Sequence, residues 1–298
     1  MTKLRRAIHF VPGANEKMFR RSLELPVDGL ILDLEDAVTP ENKDSARETV
    51  RDWLAEADFG PRERLVRINP LETPWGLRDL EVTMAARPDG YVVPKARSRD
   101  DLLRIDEILA RIEAERGYPR RGVALLVIGT ETPEGLLSIR ELASAPRVDG
   151  LTWGAEDLSA AIGARRNRDE SGVYLEIFRF ARHLALLAAA AAGVQPIDSV
   201  YVDIRDSVGL EAECREAAAM GFTGKITIHP SQIEIVNEAF SPSPEEIAES
   251  RELLAAFEEH QRAGRMAFAF KGSMVDAPHL ARARTILERA RLADETRR

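Results

Sequence analysis

Three acids, Asp33, Glu35 and Asp36, interrupt the apolar run GLILDLEDAV at residues 29–38. A carboxylate in such a segment is costly unless it is paired, so these acids need a cation, a donor or a bound ligand. Other apolar runs close on polar residues in the same way: Arg67 and Asn69, Lys95, Glu131, Glu156 and Asp157, Asp203, and His229. Glu131 and Asp157 end consecutive runs and together suit one hard divalent cation. Mg²⁺ takes one or two carboxylates and fills its other positions with water and substrate oxygens. Arg67 is a planar, permanently charged donor, matched to a carboxylate or a developing enolate oxygen and equally to an ion pair with the acids of residues 33–36. Lys95 also has two readings. A desolvated lysine forms a Schiff base with a keto substrate, whereas an ammonium inside an acid cluster is an ion-pair partner. His229, just before Pro230, reads as a hydrogen-bonding group at a strand end. Cys214, in the helical stretch ECREAAAM, reads as packing.

These residues need a scaffold that brings them to one place. The short runs AIHFVP (7–12), GLILDLE (29–35), RLVRIN (64–69), GYVVPK (90–95), VALLVIGTE (123–131), VDGLTWGAE (148–156), IDSVYVD (197–203) and KITIHP (225–230) are each of strand length. Most lack polar alternation, as expected of parallel strands covered by helices. Between them lie segments with helical spacing, such as DDLLRIDEILARIEAERG and IFRFARHLALLAAAAAG, and Thr39-Pro40 and Thr132-Pro133 mark helix starts. The repeated strand-then-helix order predicts an α/β fold, a (β/α)₈ TIM barrel over residues 1–240, whose chemistry sits where strands end. VPGAN after the first run is not GxGxxG, and neither GxxxxGK[ST] nor HExxH occurs, which argues against a dinucleotide fold, a P-loop and a zincin. SPSPEEI (241–247) stops the last barrel helix, and a C-terminal helical extension over residues 241–298 follows.

The bulk numbers narrow the partners. The 298 residues carry 42 basic and 50 acidic side chains, a net charge of −8 that argues against general nucleic-acid binding. No apolar stretch reaches the roughly 18 residues of a membrane span. The start MTKLRRAIHFVPG lacks a signal-peptide apolar region, and a single cysteine fits a reducing cytosol, so a cytoplasmic protein is expected.

Motif order then adds a resemblance. FVPGANEKMFRRS, DLEDAV with Lys43 and Ala46-Arg47, RINP, VPK, ETPEG, GAEDLSAAIG, GFTGKITIHPSQ and KGSMVDAPH follow one another as in the CitE-like branch of the HpcH/HpaI aldolase and citrate lyase superfamily. The chain resembles that branch from residue 7 to about 285. The resemblance implies a TIM barrel, commonly a homotrimer, that uses Mg²⁺ to cleave or form carbon–carbon bonds in citryl, malyl or citramalyl thioesters of coenzyme A or an acyl carrier protein. By motif position, Glu131 and Asp157 resemble the metal ligands and Arg67 the oxyanion-binding arginine. Asp276 resembles an acid/base carboxylate delivered to a neighbouring subunit's site; it also suits an N-cap of the last helix. A thioesterase activity at the same site and a Schiff-base aldolase through Lys95 are the alternatives. Arg97, Arg21-Ser22 and the VIGT lead-in to Glu131 depart from the family's usual residues and bear on substrate identity.

Under that reading Arg21 and Lys95 are candidates for holding the coenzyme, while RRNR (165–168) reads as a solvated loop. Along the second strand Ile31, Asp33 and Glu35 share one face and Leu30, Leu32 and Leu34 the other. The leucines therefore pack under helices. Glu35 and Asp36 are expected to orient metal-bound water and Arg67, and Asp33 to pair with a barrel cation such as Lys95.

Overall fold

Each apolar run becomes a parallel strand in the structure, a computed structural model that describes residues 3–262 and 266–296. The strands are β1 (Ala7–Pro12), β2 (Gly29–Asp33), β3 (Glu63–Arg67), β4 (Gly90–Val93), β5 (Ala124–Ile128), β6 (Val148–Thr152), β7 (Gln195–Asp198) and β8 (Gly224–Thr227). They pair in chain order, and β8 returns to β1 to close a barrel. Ile8, Ile31, Leu65, Val92, Leu126, Ile128, Ile197 and Ile226 form a single buried cluster. The alternating residues Leu30 and Leu32 are buried as well. Strand residues are thus apolar on both faces, one toward the barrel axis and one under the helices.

The helical layer is α1 (Glu16–Ser22), α2 (Lys43–Glu56), α3 (Gly76–Thr83), α4 (Arg99–Arg116), α5 (Pro133–Leu137), α6 (Ile139–Ala143), α7 (Ala155–Ala161), α8 (Glu176–Ala192) and α9 (Ser207–Met220), followed by α10 (Ile233–Ala239). Both expected starts open a helical turn. Thr132 Oγ1 accepts the Gly135 N–H at 3.0 Å with Pro133 in the first turn. Thr39, before the short turn Pro40–Asn42 that leads into α2, makes no side-chain cap. A capping box of Ser98 and Asp101, not among the starts expected from the sequence, opens α4. Most strands stop earlier than the apolar runs suggest. Glu35, Asn69, Lys95 and Glu131 stand after β2, β3, β4 and β5, and Glu156 and Asp157 lie in the first turn of α7.

Two compact units divide the chain, Arg5–Asn237 and a second that takes in the chain from Glu238 onward. The second unit packs α11 (Pro244–Arg262) and α12 (Ala277–Thr296) around Leu253, Phe257, Phe268, Val275 and Leu280. Within the segment expected to be helical, the FKGSM stretch forms a hairpin of β9 (Phe268–Phe270) and β10 (Ser273–Val275). Lys271 (φ 47°) and Gly272 (φ 84°) both take the left-handed conformation that a tight two-residue turn demands. No described helix is long and apolar enough to cross a membrane.

Candidate active site

The site begins with a cross-strand pair. Asp33 and Arg67 are register partners at the ends of β2 and β3. Arg67 Nε and Nη2 each donate to the Asp33 carboxylate at 2.7 Å. The same carboxylate accepts the backbone N–H of Glu35 at 2.9 Å and of Ala37 at 3.2 Å, so the loop after β2 is wound around it. Burial works against the Arg67 charge, but Asp33, then Glu35 and Asp36, outweigh it and hold the guanidinium firmly protonated. Its flat face lies 4.6 Å from the Phe10 ring centroid, a cation–π contact that fixes its tilt.

A buried lysine sets the next residue. Lys43 Nζ donates to the carbonyls of Leu34 at 2.8 Å and Glu35 at 2.6 Å, and Asn69 Nδ2 reaches the Leu34 carbonyl at 2.9 Å. So held, Glu35 accepts from Lys95 Nζ at 2.5 Å through Oε1. Its Oε2 lies 2.9 Å from Arg67 Nη1 without hydrogen-bond alignment. Burial raises the Glu35 carboxyl above its ordinary range against the opposing pull of Arg67 and Lys95. Asp36, at the exposed rim, stands 3.4 Å from Lys95 Nζ and 3.7 Å from Arg67 Nη1.

Lys95 ties this group to Glu131 and Asp157. Its φ of 52° places it in the left-handed region, which costs a non-glycine residue roughly 1 kcal/mol. That conformation accompanies a 2.6 Å hydrogen bond from its backbone N–H to Glu131 Oε2. Its ammonium meanwhile sits 3.5 Å from Asp157. Glu131 is buried, and a side chain on Gly154 would crowd it, since a Cβ there would lie 2.8 Å from Glu131 Cγ. The glycine of GAEDL therefore makes room for the carboxylate. Burial, then the charges of Asp157 and Glu35, push the Glu131 carboxyl up to about 8.

Five carboxylates (Asp33, Glu35, Asp36, Glu131 and Asp157) lie among three cations, Arg67, Lys95 and the buried Lys43. A cation between Glu131 and Asp157 would relieve the repulsion that keeps Glu131 protonated. Hard oxygen donors suit Mg²⁺. Among the described residues no three His, Cys, Asp or Glu side chains converge on a metal position, so water and ligand oxygens would complete the shell. Glu131, Asp157 and Arg67 line a cavity of about 100 Å³ whose remaining walls include Phe10, Ile128, Trp153, Tyr174 and Ile226.

Several expectations change. Asp33 pairs with Arg67, while Lys95 pairs with Glu35 and is turned toward the acids. An ammonium so surrounded has its pKa raised, the reverse of what a Schiff-base lysine needs, and the geometry disfavours that reading. Glu156 lines the same cavity but is engaged by Asn167, accepting from its Nδ2 at 2.7 Å. Asp203 is exposed and caps a turn through the Arg205 N–H, and His229 caps the short helix Pro230–Gln232 through Ser231. Arg21 lies exposed on α1. The RRNR segment is not simply solvated. Arg168 stacks on Tyr174, 3.5 Å from the ring centroid, and bonds Glu213 at 2.7 Å. Tyr174 in turn meets Trp153 edge-on at 5.1 Å, so this loop builds a wall of the cavity. Phe10, Trp153 and Tyr174 are functional-site residues that polar-residue reasoning passes over, although Phe10 shares the face of Ile8 by strand alternation. Cys214 is buried, and burial raises its thiol to about 12, as packing requires. In the C-terminal unit Asp276 opens α12. Its carbonyl accepts the N–H groups of His279 and Leu280, and its carboxylate lies 2.8 Å from His279 Nδ1.

The chain is similar in sequence and fold to known proteins. Mouse mitochondrial citramalyl-CoA lyase is 39% identical over 295 residues, covering 95% of this chain and 85% of the relative. A (3S)-malyl-CoA thioesterase of Cereibacter sphaeroides is 36% identical over 285 residues, covering 96% and 94%. The crystal structure of CitE from Mycobacterium tuberculosis with magnesium, acetoacetate and coenzyme A superposes with a TM-score of 0.78 at 38% identity, covering 95% of this chain and 97% of that one. A family model described as HpcH/HpaI aldolase/citrate lyase matches residues 6–230, the barrel with its cluster of acids, and the chain belongs to that family.

Proposed function

We propose that the chain is a Mg²⁺-dependent carbon–carbon lyase that cleaves, or forms, a 3-hydroxyacyl-coenzyme A thioester of the malyl, citramalyl or citryl type. The products of cleavage are a thioester such as acetyl-CoA and a 2-oxo acid. One observation carries the reading: Glu131 and Asp157 share a cavity with Arg67, a guanidinium already fixed by Asp33. Relatives support it, one being named a citramalyl-CoA lyase and a structural neighbour holding magnesium, acetoacetate and coenzyme A.

Glu131 and Asp157 would hold the Mg²⁺, which when bound supplies Lewis acidity toward the hydroxyl and carboxylate oxygens of the substrate's 2-hydroxy acid moiety. Arg67 spends two N–H groups on Asp33 and keeps others for a ligand. In cleavage the hydroxyl loses its proton, the carbon–carbon bond breaks, and charge collects on the thioester oxygen. Arg67, pre-oriented by Asp33 and Phe10, offers its remaining N–H groups to that oxygen, an effect on the order of 3 kcal/mol in comparable sites. Lys95 balances the charge of Glu35 and Asp36 beside the arginine. Asp276 is assigned the proton transfer at the enolate carbon, supplied by the C-terminal unit of a neighbouring copy in a homotrimer. Arg21 is the candidate for the coenzyme phosphates, and an acyl carrier protein is the alternative carrier. The single buried thiol suits a reducing compartment such as the cytosol.

The thioesterase relative favours a second reading, in which water attacks the thioester carbonyl of the same bound substrate. Assay of malyl-, citramalyl- and citryl-CoA side by side separates the two. Release of a 2-oxo acid with acetyl-CoA, abolished by EDTA and restored by Mg²⁺, is the expected result. Release of the free hydroxy acid with coenzyme A would install the thioesterase instead, and no turnover of any thioester would refute both.

A further inference from the structure

We propose that Thr152 is a substrate-contacting residue whose hydroxyl donates a hydrogen bond to an oxygen of the small 2-oxo acid half of the substrate; this rests on the lyase reading of the site. Strand alternation places it. A Cβ on Gly150 would lie 2.7 Å from Leu126 Cδ1 in the barrel core, so β6 turns Gly150 toward the axis. Thr152, two residues on and last in the strand, turns the same way at the catalytic end.

Its hydroxyl is anomalous there. Thr152 is fully buried, and Oγ1 has no hydrogen-bond partner in the protein. Neighbouring hydroxyls are satisfied: Thr130 Oγ1 accepts the Gly154 N–H at 3.0 Å, and Thr227 Oγ1 meets His9 Nδ1 at 2.9 Å. A buried, unpaired hydroxyl is a cost that valine, of nearly the same shape, would avoid. Thr152 instead lines the cavity with Arg67, Glu131 and Asp157, beside the apolar Ile128 and Ile226. The oxygens of a 2-oxo acid are all acceptors, so the threonine must be the donor. It complements the charged groups by fixing the orientation of the acid half from the wall that also carries Ile128 and Ile226.

The test compares Thr152→Val and Thr152→Ser with wild type, reading thioester cleavage, calorimetric binding of pyruvate with Mg²⁺, and the unfolding midpoint. Thr152→Val should lose roughly tenfold or more in kcat/KM and in pyruvate affinity, the fold-change of one hydrogen bond to a charged group. Its midpoint should stay level or rise, because no protein hydrogen bond is removed. Thr152→Ser, which keeps the donor, should recover most of the loss. Full activity and affinity in Thr152→Val overturns the inference and leaves the lyase assignment standing, as does a sharply lowered midpoint, which would reveal a protein partner. Pyruvate binding that depends on Thr152 without any thioester turnover supports the contact and sinks the lyase. A wild type that neither binds pyruvate nor cleaves a thioester removes both.

Discussion

Replacing Glu131 by glutamine should stabilise the metal-free protein at alkaline pH while destroying its function. In the unfolded chain this carboxyl ionises at its ordinary 4.5, whereas burial beside Asp157 and Glu35 raises it to about 8 in the folded state. Below pH 4.5 both states are protonated and the residue contributes no pH dependence. Between the two values the folded state binds the extra proton, so stability falls as pH rises, by about 1.4 kcal/mol per pH unit. The loss is complete above about pH 8 and amounts to at most about 5 kcal/mol over the whole interval, the ceiling for a site that does not relax. Glutamine carries no such penalty. Urea unfolding in EDTA should therefore show wild type losing stability relative to Glu131→Gln from pH 5 to 8.5, by several kcal/mol. Mg²⁺ should reverse the wild-type loss and do nothing for the variant. Because binding displaces a proton, the Mg²⁺ affinity of wild type should rise close to tenfold per pH unit between about 6 and 8. A variant no more stable than wild type at pH 8.5 in EDTA, or an affinity flat across that range, would refute the assignment of Glu131 as a carboxylate held for a cation.

Three further outcomes are expected. Lys95→Met leaves Glu35 with Arg67 as its remaining ion-pair partner, so activity should drop and unfolding stability fall by roughly 1–3 kcal/mol. Borohydride with pyruvate should leave wild-type Lys95 unmodified by mass spectrometry, and a reduced adduct there would revive the Schiff-base aldolase. Asp276→Ala and Glu131→Gln should each be inactive alone, yet after mixing, denaturation and refolding together they should regain activity. That follows only if Asp276 serves a neighbour's site; continued inactivity, or a monomer by light scattering, would place it elsewhere.

What the sequence could and could not disclose follows from how far each interaction reaches along the chain. Strand identity was legible because a buried parallel strand is largely apolar on both faces, and most of the eight runs show it. The polar residues closing those runs were legible for the same reason, since nothing in a barrel core could keep them. Pairing among them was not. Asp33 faces Arg67 through the β2–β3 register, and Lys95 reaches Glu35 only because its backbone is left-handed, neither of which composition encodes. Arg168 marks the sharper limit. A run of three arginines and an asparagine is polar enough for open water, and its first two arginines are exposed, as expected of such a run. The fourth position differs because Glu213 of α9 and Tyr174, on the returning arm of the same loop, offer it a carboxylate and a ring face. A charge run is thus divided between solvent and structure by what the fold brings against each member. The apolar wall of the cavity is hidden by the converse rule: Phe10, Trp153 and Tyr174 look like core until the barrel's open end shows which core residues border a ligand.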